Sequence, residues 1–133
     1  MKNPSQNPQN PQKQQIVYKV LRKVVRPSGI KYYSASYDYN KWRLQYIPEQ
    51  WIFPQRGFIY VFDTFENANR FKWLMWNMEV WKAETDWTSK PDKIAEGNYT
   101  EIDNYLNDLH TIMVPPPKGT LACKKLRLLE KMQ

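Results

Sequence analysis

The chain has 133 residues, of which 41% are hydrophobic and 15% aromatic, and its formal net charge at pH 7 is +7. This length supports one compact domain and hardly two. The basic excess favours an anionic partner, such as a nucleic acid, a nucleotide or an acidic protein surface, although a basic surface that only serves solubility stays open as the alternative.

Cysteine usage and hydropathy bear on the cellular setting. The single cysteine, Cys123, excludes an internal disulfide, which favours a reducing, intracellular location. No apolar run reaches membrane-spanning length, and the N-terminus lacks the apolar segment of a signal peptide. We therefore expect a cytoplasmic protein with no membrane partner.

The chain begins with a polar segment that contains three prolines and nothing to bury, so we expect residues 1–15 to form a disordered arm. A single domain is expected over residues 16–133. Its first strand covers residues 16–26, where four valines with Ile and Tyr favour β structure over helix. A Pro-Ser-Gly turn signal follows, and residues 30–37 return as the second strand of a β-hairpin.

Two further strands and a helix are predicted next. Residues 41–47 alternate between large apolar and polar side chains, as expected of a strand with one buried face. Residues 58–62 are apolar on both faces, which is typical of a strand in the middle of a sheet. Asp63 and Glu66 then form a capping-box pattern, with Asp63 as the N-cap of a helix that continues to about Met75.

The second half of the chain predicts a strand, a helix and a closing strand. Alternation indicates the strand over residues 78–85, and a second capping box at Asn98 and Glu101 opens an amphipathic helix that extends to Met113. Residues 119–129 fit neither period cleanly, and we expect a closing strand there. The predicted fold class is therefore α+β, with a mixed or antiparallel sheet of about five to six strands and two amphipathic helices packed on it.

Motifs for catalysis and for cofactors are scarce. Structural zinc requires four Cys or His ligands, but the chain has only Cys123 and His110, and its four glycines allow neither a Walker loop nor a dinucleotide fingerprint. An ADP-ribosyltransferase-like set can be drawn from Arg22 or Arg26, Ser34 with Ser36, and Glu79 or Glu84, but nothing in the spacing requires it. We expect no metal, no cofactor and no catalytic residue.

Basic and aromatic residues interleave along the predicted hairpin and the strand after it. Arginine and lysine bind phosphate, and flat rings provide surfaces on which bases stack. A sheet face that carries both can hold a nucleotide or a single strand, although rings at alternating positions are also ordinary half-buried sheet residues. The candidate ligand-binding residues are Lys19, Arg22, Lys23, Arg26, Lys31, Tyr33, Tyr37, Tyr39, Trp42, Arg43 and Arg56.

Short sequence landmarks are spread over most of residues 16–129. They include YKV at 18–20, VFDT at 61–64 followed by ENA at 66–68, VWKAE at 80–84 and GT at 119–120. With these landmarks the chain resembles a loose set of small proteins of bacteriophages and bacteria for which no activity is established. It departs from them at Gln50, where a glycine is expected before Trp51. The resemblance implies a virus or mobile-element accessory protein in the host-cell cytoplasm, and no catalytic residue is carried over.

These observations together predict a non-enzymatic binding protein. The first hypothesis is an anti-defence sponge, which sequesters a phosphate-bearing small ligand, such as a nucleotide-derived immune signal, by burying it, often at the interface of a homo-oligomer. A nucleic-acid-binding accessory domain is one alternative. Its distinguishing mark would be an affinity that falls steeply with salt concentration, because a polymer has many phosphates to neutralise. The other is a protein-binding inhibitor of a host defence enzyme that uses exposed rings as anchors.

Overall fold

A computed structural model of the chain describes residues 14–35, 42–73, 77–97 and 99–132. Within these ranges it contains ten strands and two helices. The strands are β1 (Gln15–Arg26), β2 (Gly29–Ser34), β3 (Gln45–Tyr46), β4 (Trp51–Ile52), β5 (Ile59–Phe62), β6 (Met78–Thr85), β7 (Ile94–Ala95), β8 (Met113–Val114), β9 (Thr120–Cys123) and β10 (Leu126–Lys131), and the helices are α1 (Phe65–Lys72) and α2 (Tyr99–Leu106).

One large antiparallel sheet of eight strands dominates the part of the chain that the structure describes. Its path runs β3-β2-β1-β6-β10-β4, while β5 meets β1 at the pair Tyr18–Phe62 and runs beside β9 along its whole length. The sheet curls until it is nearly barrel-shaped. The short strands β7 and β8 form a separate two-stranded sheet.

The curled sheet has an inner and an outer face, and both are packed. Side chains that alternate along each strand supply the two faces in turn. The inner core combines residues of six strands: Val17, Leu21, Tyr46, Ile59, Val61, Trp81, Ala83, Cys123, Leu126 and Leu128. On the outer face, α1 places Ala68 against Val20, Phe62 and Val80. The β1–β6 ladder therefore holds apolar contacts on both sides.

The first helix begins one residue later than predicted. The extended backbone of Thr64, with φ of −133°, lets its hydroxyl accept from the backbone N–H of Asn67 at 3.1 Å. The Asp63 carboxylate instead accepts from the side-chain amide of Asn67 at 2.8 Å. The prediction of Asp63 as the N-cap was therefore wrong, since the hydroxyl one residue later occupies that place. The helix ends at Lys72, and Met75 lies outside the described residues.

The second helix is also shorter than predicted. It ends at Leu106, because Asp108 adopts a left-handed φ of 59° and the N–H of Leu109 donates to the Asn104 carbonyl at 2.8 Å. Met113, the predicted last residue of the helix, belongs to β8. The helix packs with Ala95 and Trp42 in a third, smaller cluster near the β7–β8 pair. Asn98, the predicted cap, lies outside the described residues.

The α+β class holds at a coarse level, because the fold is sheet-rich with two helices. The predicted number of strands was too low. Residues 119–129 divide into two strands, since Lys124 and Lys125 turn the chain between β9 and β10. Of the strand predicted over residues 41–47, only Gln45 and Tyr46 form β3, which pairs with β2, while residue 41 lies outside the described residues. Strand β4 is also only two residues long, and its pairing with β10 defines it.

A substitution at Gly119 tests how the start of α1 is attached to the sheet. Its φ of +82° is left-handed, its carbonyl accepts from the Asp63 N–H at 2.9 Å, and a Cβ would collide with the side chains of Asp63 and Asn67. We expect Gly119→Ala to lower the free energy of unfolding by about 2 kcal/mol in urea denaturation. The control is Gly97→Ala, because a Cβ there has no neighbour within 4 Å. Equal losses in both variants would contradict this packing.

Candidate functional site

A groove of about 580 Å³ lies along the β1–β2 hairpin, a volume typical of small-molecule sites. We call it the basic groove. It is lined by Arg22, Lys23, Val24, Val25, Arg26, Lys31, Tyr33, Arg43 and Asn77. Five of these residues are cations, and no Asp or Glu occurs among the described lining residues. The structure thus brings six candidate residues to one concave surface, whereas Tyr37 and Tyr39 lie outside the described residues.

The register of the hairpin explains why three cations share the outer face. Arg22 and Arg26 lie four residues apart on β1, so both point to the same side of the strand. Lys31 is the cross-strand partner of Val24, which lies midway between the two arginines. The three basic side chains therefore form a row along the outer face.

Arg22 has an unsatisfied donor at one end of this row. One of its terminal nitrogens donates to the carbonyl of Ala35 at 3.1 Å. Its Nε is buried and has no hydrogen-bond partner within the described residues. A buried donor without a partner costs about 1–3 kcal/mol.

Arg43 is oriented by an aromatic ring. The guanidinium carbon of Arg43 lies 3.8 Å from the centroid of the Tyr33 ring, which is a close cation–π contact. Tyr33 is held in turn by the β2 ladder, where it pairs with Arg22 on β1. The contact restricts the rotamers of a long side chain, so less entropy is lost when its planar fork binds phosphate.

Lys23 contributes to the wall of the groove but its charge is compensated elsewhere. Its side chain belongs to the inner face, where its Nζ lies 3.4 Å from the Glu79 carboxylate. Lys131 approaches the same carboxylate at 3.6 Å. The other cations that line the groove are Arg22, Arg26, Lys31 and Arg43.

Two other candidates lie apart from the groove. The indole N–H of Trp42 donates to the Asp103 carboxylate at 2.7 Å, and its ring packs against the third cluster. Arg56 forms an ion pair with Asp108 at 2.9 Å, just after the end of α2. Both residues connect α2 to the remainder of the fold.

Lys19 lies in the inner core instead of the groove. Its Nζ donates to the carbonyl of Tyr60 at 2.7 Å and is 5.7 Å from the centroid of the Tyr46 ring. Burial lowers the pKa of the Lys19 amine to about 8, and burial likewise raises the pKa of the nearby Cys123 thiol to about 11. The alternation in the sequence contained the signal, since Lys19 shares a face with Val17.

The ADP-ribosyltransferase-like set is not gathered in one place. Ser34 and Glu79 are both cross-strand partners of Leu21, so they belong to the inner face, while Arg22 belongs to the outer one. The Ser34 hydroxyl also accepts from the Leu44 N–H at 3.1 Å. These three residues therefore do not converge on one substrate.

A second group of rings and cations lies near the turn between β9 and β10. The ring of Trp51 has the Lys125 ammonium 4.5 Å and the Arg127 guanidinium 4.9 Å from its centroid. Lys125 also pairs with Asp86 at 3.2 Å, and Arg127 binds the Glu84 carboxylate. Because carboxylates neutralise these cations, this group offers an anion less than the basic groove does.

Two further features bear on what the protein can bind. Within residues 14–35, 42–73, 77–97 and 99–132, no group of three or more His, Cys, Asp or Glu side chains is arranged to hold a metal ion. In the same ranges neither helix is long and apolar enough to cross a membrane.

Comparison of the chain with protein-family models finds no match. The same holds for curated proteins and for solved structures. The function is therefore argued from the geometry and the charge of the basic groove.

Lys19 makes stability depend on pH in a defined direction. Its amine loses a proton near pH 8 in the fold but at about pH 10.5 in the unfolded chain. Between those values the unfolded state binds more protons, so the free energy of unfolding rises with pH. We expect the wild type to gain about 1 kcal/mol per pH unit relative to Lys19→Met between pH 8 and pH 10, measured by urea denaturation.

The comparison with Lys19→Met removes the opposing contribution of Cys123, whose raised pKa lowers stability between about pH 9 and pH 11 in both proteins. The exposed Lys118 provides the control, because Lys118→Met should follow the wild type at every pH. A constant difference between wild type and Lys19→Met over this range would show that the buried amine keeps its proton.

Proposed function

We propose that the protein binds a phosphate-bearing small ligand in the basic groove and retains it without chemical change. The observation that carries this proposal is the convergence of Arg22, Arg26, Lys31 and Arg43 on one concave surface that has no carboxylate among its described lining residues. Hydrogen bonds between charged groups contribute about 1.5–3 kcal/mol each. Two or three such bonds together contribute about 3–9 kcal/mol to the binding of a phosphate.

Repulsion among the cations of the groove supports the proposal. Like charges held close together repel each other, and an anion between them relieves this repulsion. Since Arg43 is already held against Tyr33, part of the ordering cost of binding is met before the ligand arrives.

Retention without cleavage fits the composition of the groove. Its described lining residues include no carboxylate, imidazole or thiol that could act as a general acid, a general base or a nucleophile. The resemblance to phage accessory proteins makes a nucleotide-derived immune signal the favoured ligand. The role we propose is therefore that of an anti-defence sponge, which lowers the free concentration of its ligand.

A nucleic-acid-binding domain is the second candidate, because part of the β1–β2 hairpin extends beyond the sheet as a basic two-stranded ribbon. Strands of this kind enter nucleic-acid grooves in several protein classes. The two candidates differ in salt dependence, which is steep for a polymer and shallow for a mononucleotide.

A thermal-shift screen of the full chain tests the proposal. Suitable probes are inorganic phosphate, pyrophosphate, AMP, ATP, NAD, cyclic dinucleotides and short oligonucleotides. A ligand at a hundred times its Kd adds about 2.7 kcal/mol to the stability and raises the Tm by several degrees. A bound probe that is released by heat should have an unchanged mass. No shift with any probe, or a changed mass, would count against the proposal.

Variants of the groove locate the binding. We expect Arg22→Gln and Lys31→Ala each to raise the Kd of the best probe about tenfold, because each removes one charged hydrogen bond. Arg56→Ala is the matched control, since it removes one positive charge that pairs with Asp108 outside the groove. Isothermal titration measures the Kd, and urea denaturation verifies that each variant folds. Equal weakening by Arg56→Ala would indicate attraction by net charge alone.

A further inference from the structure

The hairpin that carries the basic groove is longer than the sheet that supports it. Pairing between β1 and β6 ends at Arg22 and Met78, whereas pairing between β1 and β2 continues to Arg26 and Gly29. Residues 24–31 therefore form a two-stranded ribbon beyond the edge of β6, and we call this segment the distal ribbon. The groove extends from the supported part of β1 onto the distal ribbon.

The cations of the groove are spaced regularly along this direction. A strand advances about 3.3 Å per residue, so side chains on one face recur about every 7 Å. Arg22, Lys31 and Arg26 occupy three successive positions of this repeat, because Lys31 faces Val24 between the arginines. The Cα atoms of the two arginines are therefore about 13 Å apart.

The two ends of the row differ in burial. Arg22 is partly buried, donates to Ala35 and has a buried Nε, whereas Arg26 and Lys31 are exposed on the distal ribbon. The inner end can therefore fix one phosphate, together with Arg43. The outer end is open to solvent, so a bound ligand can extend along the ribbon.

We infer that the ligand of the basic groove carries at least three phosphate groups, each separated from the next by a nucleoside unit. This inference rests on the proposed function and specifies its ligand. One phosphate at the inner end, at Arg22, leaves Arg26 about 13 Å away and unneutralised. Contiguous phosphates lie too close together to extend over this distance. A nucleoside between two phosphates separates them by a distance comparable to one step of the row, so three phosphates with two nucleosides between them extend from Arg22 past Lys31 to Arg26.

Four thymidine probes in metal-free buffer separate phosphate number from phosphate spacing. They are the monophosphate pT, the triphosphate TTP, the trinucleotide pTpTpT and the dinucleoside monophosphate TpT. We expect pTpTpT to bind the full chain at least about tenfold more tightly than pT or TpT, since it alone reaches both ends of the row. It should also bind more tightly than TTP, although TTP carries the same number of phosphates.

Arg26→Ala assigns the third phosphate to the outer end. The variant should weaken pTpTpT about tenfold and should leave pT unchanged. Arg22→Gln should weaken both probes, because both place a phosphate at the inner end. Arg26 is exposed at the end of the distal ribbon, so the variant should fold, and urea denaturation verifies this.

The outcomes distinguish this inference from the proposal it extends. Equal affinities for pT and pTpTpT, or an unchanged affinity of Arg26→Ala for pTpTpT, would overturn the inference while groove binding still holds. Tighter binding of TTP than of pTpTpT would also overturn it, since the number of phosphates would then outweigh their spacing. Failure of every probe to bind would overturn the proposed function itself.

A length series identifies the source of the spaced phosphates. An affinity that stops rising at three nucleotides indicates a free short nucleotide, and an affinity that continues to rise with oligothymidylate length indicates a single strand. In the second case Arg26→Ala should reduce the slope of log K against log salt by roughly 0.7. Either result supports spaced phosphates as the shared chemistry.

Discussion

The ladder between β1 and β6 is the constraint on which the fold depends. It runs from the pair Gln15–Thr85 to the pair Arg22–Met78, and its two faces contribute residues to both of the larger apolar clusters of the described chain. The inner face closes the curled sheet, and the outer face receives α1. Strand β1 continues four residues beyond the end of this ladder, to Arg26. The same strand therefore builds the core and lines the basic groove.

Position along β1 decides what happens to each of its basic side chains. Lys19 lies between buried neighbours on the inner face and is desolvated, whereas Lys23, on the same face but nearer the edge, reaches a carboxylate. Arg22 and Arg26 lie on the outer face, where the described lining residues provide no acid. A single period-two pattern thus sorts the cations of β1 into a buried charge, an ion pair and a pair that lines the basic groove.

Much of the site could be predicted from sequence because it depends on local pattern. A hairpin with a short turn fixes its own register, so the residues opposite Arg22 and Lys31 follow from the turn position. The closure of the sheet could not be predicted, since it rests on two-residue strands and on pairings between distant segments. The burial of Lys19 was missed for the same reason: only the closed sheet makes its face an interior.

Because Cys123 is buried, the rate at which a thiol reagent modifies it can report on local opening of the sheet. The thiol belongs to the inner core, and its strand β9 is held by β5 on one side. A thiol reagent in solvent can reach it only when this pair of strands separates. The rate of modification under native conditions therefore measures how often that side of the barrel-like sheet opens, independently of any ligand in the basic groove.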